Sequence, residues 1–254
     1  MRSSRRARRG APTMSSEPGL AGRVAVVTGA LGTLGPVWAD ALAAAGAAVV
    51  GLDVREGADV IAADVTDRDS LQRALAQIVR EHGPPAVLVN NAGIDVPPGA
   101  SDDASFVRTL EVNVAGVHNA TEVFGRAMCD AGRGSIVNIG SLYASIAPIP
   151  ALYDHIEPPF TKPAAYGASK AAVVNLTRYY ARLWGPRGVR VNALSPGGVR
   201  GGQDAEFVRK YAERVPLGRM AEPADLVGPL LFLASDASAY VTGIELQVNG
   251  GFTA

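Results

Sequence analysis

The chain has 254 residues, enough for one large domain or two small ones, and with 48% hydrophobic against 19% charged residues it can bury a substantial core, which excludes a disordered polypeptide. Its 24 basic and 24 acidic side chains cancel, but Arg2, Arg5, Arg6, Arg8 and Arg9 stand in the first thirteen residues without an acid, so the net charge from Met14 onward is −5. That balance argues against a nucleic-acid binder, and no apolar run reaches the ~18 residues of a membrane span.

In chain order, residues 1–19 read as a disordered basic tail, or as an over-long start with Met14 as initiator; a basic docking arm is the alternative. Residues 20–254 show no low-complexity linker and no repeat and read as one domain. Val24-Ala25-Val26-Val27 is a β-branched run followed by a glycine-rich turn and a helix-forming stretch from Trp38 to Ala45. Further strands are predicted at Ala48–Leu52, Val60–Ala63, Ala86–Val89, Ser135–Ile139, Val189–Leu194 and Leu246–Val248, with helices near 70–82, 104–131, 165–184 and 223–234. Alternation of this kind, with continuously apolar strands, predicts an α/β fold: a single-domain, Rossmann-type, doubly wound parallel sheet with helices on both faces.

The turn Thr28-Gly29-Ala30-Leu31-Gly32-Thr33-Leu34-Gly35 joins the first strand to the first helix, where backbone N–H groups and a helix N-terminus can face a pyrophosphate. Tight turn geometry alone would also explain such glycines. Asp53, about twenty residues onward at the end of the second strand, can accept hydrogen bonds from the adenosine ribose and would repel a 2′-phosphate, which favours NAD over NADP; Arg55 could soften that repulsion. Asp64-Val65 can reach an adenine edge or simply form a turn, and Asn90-Asn91-Ala92-Gly93 can pass close to a cofactor or serve turn chemistry alone.

Tyr166 and Lys170 are spaced i, i+4 at the start of a helix and so share one face. A free phenol has a pKa of about 10, so a base near neutrality needs about 3–4 kcal/mol of differential stabilisation of the phenolate. A neighbouring ammonium and an oxidised nicotinamide have the right sign. Ser141 follows a strand at the ligand-binding edge of the sheet and can hydrogen-bond a substrate oxygen, or is a loop serine; Asn113 is a polar residue in an apolar helix and needs a specific partner, structural or functional.

Over residues 20–254 the glycine turn, Asn90-Asn91-Ala92-Gly93, Asn113, Ser141, the Tyr166/Lys170 pair and Ser195-Pro196-Gly197 together resemble the short-chain dehydrogenase/reductase family. The resemblance implies Tyr166 as acid/base, Lys170 binding the nicotinamide ribose and lowering the phenol pKa, Ser141 orienting substrate and Asn113 holding a relay water. It further implies that Gly29, Gly32, Thr33, Leu34, Gly35, Asp53, Asp64, Val65, Asn91, Ala92, Gly93, Pro196, Gly197 and Val199 approach the dinucleotide, and that the protein is a homo-oligomer, dimer or tetramer, with the Tyr166–Trp184 helix and Val248–Ala254 at interfaces. Tyr179, Tyr180 and Trp184 suit such contacts, or core packing. Two positions depart from the family pattern: Thr33 replaces the middle glycine of the turn, and Gly201 stands where a threonine often contacts the nicotinamide amide.

Twenty-four residues separate Ser141 from Tyr166, an unusually long stretch for the family, containing Tyr143, Tyr153, His155, Pro158 and Pro159. Leu142–Ala165 is expected to line or lid the substrate pocket, with a surface excursion or subunit contact as the alternative. Tyr143 and His155 are its candidate substrate contacts. Gly201-Gly202-Gln203-Asp204 and the short helix after it read as a substrate lid, with Gln203 hydrogen-bonding a hydroxylated ligand or marking helix entry. His82 ends a helix, His118 packs within one, and no cluster suggests a metal. One cysteine, Cys129, suits a reducing compartment, the cytoplasm by expectation.

These readings point to an NAD(H)-dependent oxidoreductase that interconverts a secondary alcohol and a ketone on a small molecule, sugar-like or polyhydroxylated. The alternatives are a 3-oxoacyl-thioester reductase, a cofactor-retaining epimerase or dehydratase, and a non-catalytic nucleotide-sensing module.

Overall fold

The computed structural model describes residues 19–96, 102–157, 160 and 162–254; the basic tail up to Pro18, and Pro158 and Pro159 of the long stretch, lie outside them. Seven strands form one parallel sheet: β1 (Val24–Thr28), β2 (Ala48–Asp53), β3 (Val60–Ala62), β4 (Pro85–Asn90), β5 (Gly134–Ile139), β6 (Val189–Pro196) and β7 (Glu245–Val248), in the order β3-β2-β1-β4-β5-β6-β7. The helices are α1 (Gly35–Ala44), α2 (Arg68–His82), α3 (Asp103–Leu110), α4 (Gly116–Asp130), α5 (Ala164–Trp184), α6 (Ala205–Ala212) and α7 (Val227–Ala234).

Successive strand residues point to opposite faces, and here both faces are apolar. Val24, Val26, Leu88, Ile136 and Val191 pack with α2, α4 and α5 on one side, through Leu71, Phe124 and Tyr180 among others. Ala25, Val27, Val87, Val89 and Val137 pack on the other side against Trp38 and Leu42 of α1 and Leu230 and Leu233 of α7. Chain order reverses at β1, which lies between β2 and β4, and the crevice at the C-terminal ends of β1 and β4 is where doubly wound sheets bind ligands.

One expected helix is different in kind. The stretch foreseen as continuous over 104–131 is interrupted by a π-helical turn at Glu111–Ala115 between α3 and α4. Such turns concentrate at functional sites because the extra residue re-aims a side chain. Here Asn113 is re-aimed into the protein and is buried.

A third apolar cluster lies off the sheet. Leu142, Leu152 and Tyr153 of the long stretch pack with Tyr211, Val215 and Met220 from α6 and the segment after it, and Phe207 and Phe252 lie against them. The stretch is therefore attached to α6 by a small core of its own. Tyr180 and Trp184 are buried within the chain, so core packing explains them; Tyr179 and Leu183 are the exposed large hydrophobic side chains of that helix.

Candidate active site

Where β1 ends, the chain must turn within touching distance of the segment after β4. Gly29 has φ +63°, and a Cβ on it would stand 2.7 Å from Ala92 Cα; on Gly35 a Cβ would stand 2.4 Å from the carbonyl oxygens of Gly29 and Ala30. Only glycine fits either position. Side chains lock the approach. Asn91 Nδ2 donates to the carbonyls of Thr28 (3.1 Å) and Gly29 (2.9 Å), and Trp38 Nε1 donates to Asn91 Oδ1 at 2.8 Å. The backbone N–H groups of Asn91 and Ala92 both donate to Thr28 Oγ1. The Asn91 amide is thus committed to the turn, while its residue still borders the crevice.

That crevice is a cleft of about 550 Å³, within the usual size of small-molecule sites. Gly29, Gly32, Thr33, Leu34 and Asp53 wall one end, and Asp64 and Val65 stand beside them; Asn91, Ala92 and Gly93 form its middle. Ser141, Tyr166 and Lys170 wall the other end, with Pro196, Gly197 and Val199 alongside. Gly35, packed on the glycine turn, and Asn113 do not line the cleft.

Asp53 is almost fully buried at the end of the cleft beside the glycine turn. Its carboxylate accepts the Leu31 N–H at 3.0 Å, and the Arg55 N–H and Nε at 3.1 Å each. Burial pushes this carboxyl up, but the hydrogen bonds from Arg55 and Leu31 outweigh it and hold the group below the usual carboxylate range. Arg55 therefore lies folded against Asp53. Asp64 Oδ1 accepts both the N–H and the hydroxyl of Thr66 at 2.8 Å, so a turn role and a place on the cleft wall coexist in one residue.

At the opposite end, Lys170 Nζ donates to the Ile139 carbonyl at 2.9 Å and lies 5.6 Å from the centroid of the Tyr166 ring. Burial pushes Lys170 down to about 8. Tyr166 is pushed up to about 12, by burial first and by the charge of Asp95 second, against the lowering effect of a hydrogen bond with Ser141. A positive charge brought into the cleft would act in the opposite direction and lower it. Asn113 Oδ1 accepts the Ile94 N–H at 2.7 Å, while its Nδ2 donates to the Ile94 carbonyl (2.9 Å) and to Ser169 Oγ (3.1 Å). It braces the segment after β4 against the first turn of α5.

The candidate substrate residues separate in space. Tyr143 stands edge-on to Tyr166, with ring centroids 6.4 Å apart, and its hydroxyl pairs with that of Tyr153 at 2.8 Å. His155 points instead to α6, its Nε2 to Asp204 at 2.9 Å and its Nδ1 to Lys210 at 3.1 Å. Gln203 Oε1 accepts the Gly201 N–H and its Nε2 donates to the Val199 carbonyl, both at 2.8 Å. None of Tyr143, His155 and Gln203 borders the cleft: Tyr143 stands edge-on to Tyr166, His155 ties the long stretch to α6, and Gln203 closes its own loop ahead of Asp204, the N-cap of α6. Among the described residues no three His, Cys, Asp or Glu side chains cluster as metal ligands.

Two residues of this end have no forerunner in the sequence reading. Asp95 lines the cleft, and Lys162 forms an ion pair with it while its Nζ lies 4.8 Å from the Tyr166 ring centroid. Asp95 stands two residues beyond Gly93, a hint available in advance; nothing in the spacing pairs it with Lys162, sixty-seven residues away.

A Cβ-free turn facing a helix N-terminus, a buried ribose-side carboxylate and a phenol, ammonium and hydroxyl at the far end form a donor set that fits a nicotinamide dinucleotide. Residues 29–253 match the family model described as enoyl-(acyl carrier protein) reductase. The chain is 39% identical to galactitol 2-dehydrogenase (L-tagatose-forming) of Cereibacter sphaeroides, over 92% of its own length and 96% of that protein's. The chain belongs to the short-chain dehydrogenase/reductase family. A short-chain dehydrogenase from Leptospira borgpetersenii with bound NAD+ superposes with a TM-score of 0.85 at 31% identity, covering 98% of this chain and 100% of that one. A gluconate 5-dehydrogenase from Burkholderia cenocepacia in complex with NADP and tartrate superposes with a TM-score of 0.83 at 31% identity, covering 93% and 97%. This family member is an oxidoreductase acting on CH–OH groups with a nicotinamide cofactor, and no helix among its described residues is long and apolar enough to cross a membrane.

Proposed function

We propose that the protein oxidises a secondary alcohol of a polyhydroxylated small molecule to the ketone, with NAD as hydride acceptor. The observation that carries this reading is the placement of Tyr166, Lys170 and Ser141 on one wall of the cleft whose other end holds the glycine turn and Asp53. When bound, the cofactor supplies a hydride acceptor and a positive charge beside the phenol. Ser141 donates a hydrogen bond that orients the carbinol oxygen. Tyr166 Oη takes the hydroxyl proton as the C–H hydride leaves, and returns it in the reverse direction. Lys170, held by Ile139, presents its ammonium behind the ring, where it favours the phenolate and can reach a ribose hydroxyl. Asn113 acts through others, keeping Ile94 and the first turn of α5 in register.

Asp53 supports NAD in preference to NADP, because its depressed carboxyl remains anionic where a 2′-phosphate would lie. The similarity to a galactitol dehydrogenase and a gluconate dehydrogenase supports the polyhydroxylated substrate class. The exposed Tyr179 and Leu183 of α5 suit a homo-oligomeric contact, and the single buried cysteine suits the cytoplasm. The test is NADH formation, followed by absorbance, over a panel of polyols and simple secondary alcohols. Failure to reduce NAD or NADP with any of them would sink the reading. The family model's description keeps one other activity in view: reduction of acyl thioesters, assayed by NAD(P)H consumption on 3-oxoacyl and enoyl thioesters.

A further inference from the structure

The substrate end of the cleft holds a charge pair that the hydride-transfer chemistry does not require. Asp95, from the segment after β4, and Lys162, from the long stretch before α5, meet across the face of Tyr166. Lys162 is largely withdrawn from solvent, with a side-chain exposure of 17%, while Asp95, at 35%, stays open to the cleft and to solvent. Their partnership is not a surface accident of neighbouring residues, since it joins two segments sixty-seven residues apart at the mouth of the reacting site. The charge of Asp95 also reaches the catalytic groups: after burial it is the next cause raising Tyr166, and it opposes the lowering of Lys170 by burial.

We propose that the Asp95–Lys162 pair selects the charge of the substrate, admitting neutral polyols and excluding their carboxylate counterparts. This rests on the proposed alcohol oxidation and narrows it. A carboxylate on a substrate carbon near the carbinol needs an unpaired cation to replace its hydration. Among the described residues at this end, Lys162 is matched by Asp95, and Arg108 on the cleft wall by Glu111. Lys170 is committed to the Ile139 carbonyl. An incoming carboxylate would therefore meet the Asp95 carboxylate without a cation to compensate it. A polyol meets an acceptor and a donor side by side, which suits two neighbouring hydroxyl groups.

The experiment compares matched pairs of equal chain length, glycerol with glycerate, threitol with threonate and galactitol with galactonate, under saturating NAD. In the wild type the best pair is expected to give a kcat/KM ratio of polyol to acid of at least about tenfold, the order expected for a like charge within ~4–6 Å. Asp95→Asn leaves the Lys162 ammonium unmatched, and the ratio falls at least about tenfold, mainly through a lower KM for the acid. Lys162→Met leaves Asp95 unmatched, and the ratio rises. Asp95→Glu restores the charge and the wild-type ratio. Thermal melts and NAD affinity establish that each variant is folded. A pair that only held the two segments together would move both single variants in the same direction. That result, or a wild type that prefers the acids, overturns the charge filter while leaving the dehydrogenase reading in place. A wild type inert toward every polyol and acid overturns both.

Discussion

Lys170 donates to the carbonyl of Ile139, the last residue of β5, at 2.9 Å, so the position of the ammonium behind Tyr166 is set by the sheet and not by the helix alone. The cation is pre-placed before any ligand arrives. Removing the phenol oxygen should therefore leave cofactor binding nearly intact. Tyr166→Phe is expected to lower turnover at least ~100-fold, the range for losing acid/base help, with NAD affinity, read by fluorescence titration, changed by no more than a few fold. Turnover within tenfold of wild type would remove Tyr166 from its role.

The pH dependence has a defined sign. Oxidation requires the deprotonated phenol, so kcat/KM rises with pH through the Tyr166 titration. The Ser141 hydroxyl acts on that phenol in the direction that lowers its pKa, while burial and Asp95 raise it. In Ser141→Ala the acid limb should move to higher pH, beyond any general loss of rate. An unmoved limb would mean that Ser141 does not contact the phenol in the working complex.

Cofactor choice is expected to hinge on Asp53. Asp53→Ala removes the acceptor that engages Leu31 and Arg55, and frees the Arg55 guanidinium for a phosphate. The ratio of kcat/KM for NAD to that for NADP should fall at least about tenfold, the effect of one unit charge at close range. A preference that stays unchanged would move the determinant elsewhere.

Asn113→Ala removes the partner of the part-buried N–H and carbonyl of Ile94 and one of the two partners of Ser169 Oγ, which keeps the Tyr166 carbonyl. Unsatisfied buried groups cost about 1–3 kcal/mol, and at about 2–4 °C per kcal/mol for a chain of this size Tm should fall by several degrees. Differential scanning calorimetry reads the shift, and an unchanged Tm would show that water replaces the amide at no cost.

Cys129 is packed in the α4 side of the core, and burial pushes its thiol up. A thiol reagent should modify the native protein at a rate limited by opening of the fold and the denatured protein rapidly. Fast labelling without denaturant would mean that α4 opens readily.

Much of this architecture was legible because its causes are local. Short apolar strands alternating with helical stretches predicted every strand of the sheet, and Asp53, Tyr166 and Lys170 follow from spacing within single elements. The π turn was not legible, since its cause is a partner nineteen residues away: Asn113 turns inward to meet Ile94. The partners of His155 and Gln203 were not legible for a related reason. A polar side chain in a loop has free hydrogen-bonding capacity only if nothing folds against it, and here Asp204, Lys210, Gly201 and Val199 do.

By itself the order of residues determined the parallel sheet, the glycine turn and the phenol–ammonium pair, because periodicity and i, i+4 spacing act within a few residues. Only the tertiary structure decided that Arg55 lies on Asp53, that the long stretch before α5 builds its own core with α6, and that Lys162 meets Asp95 over Tyr166. Charges and hydrogen-bonding groups far apart in the chain acquire their partners when the backbone closes around them, and those partners set what each group can still bind.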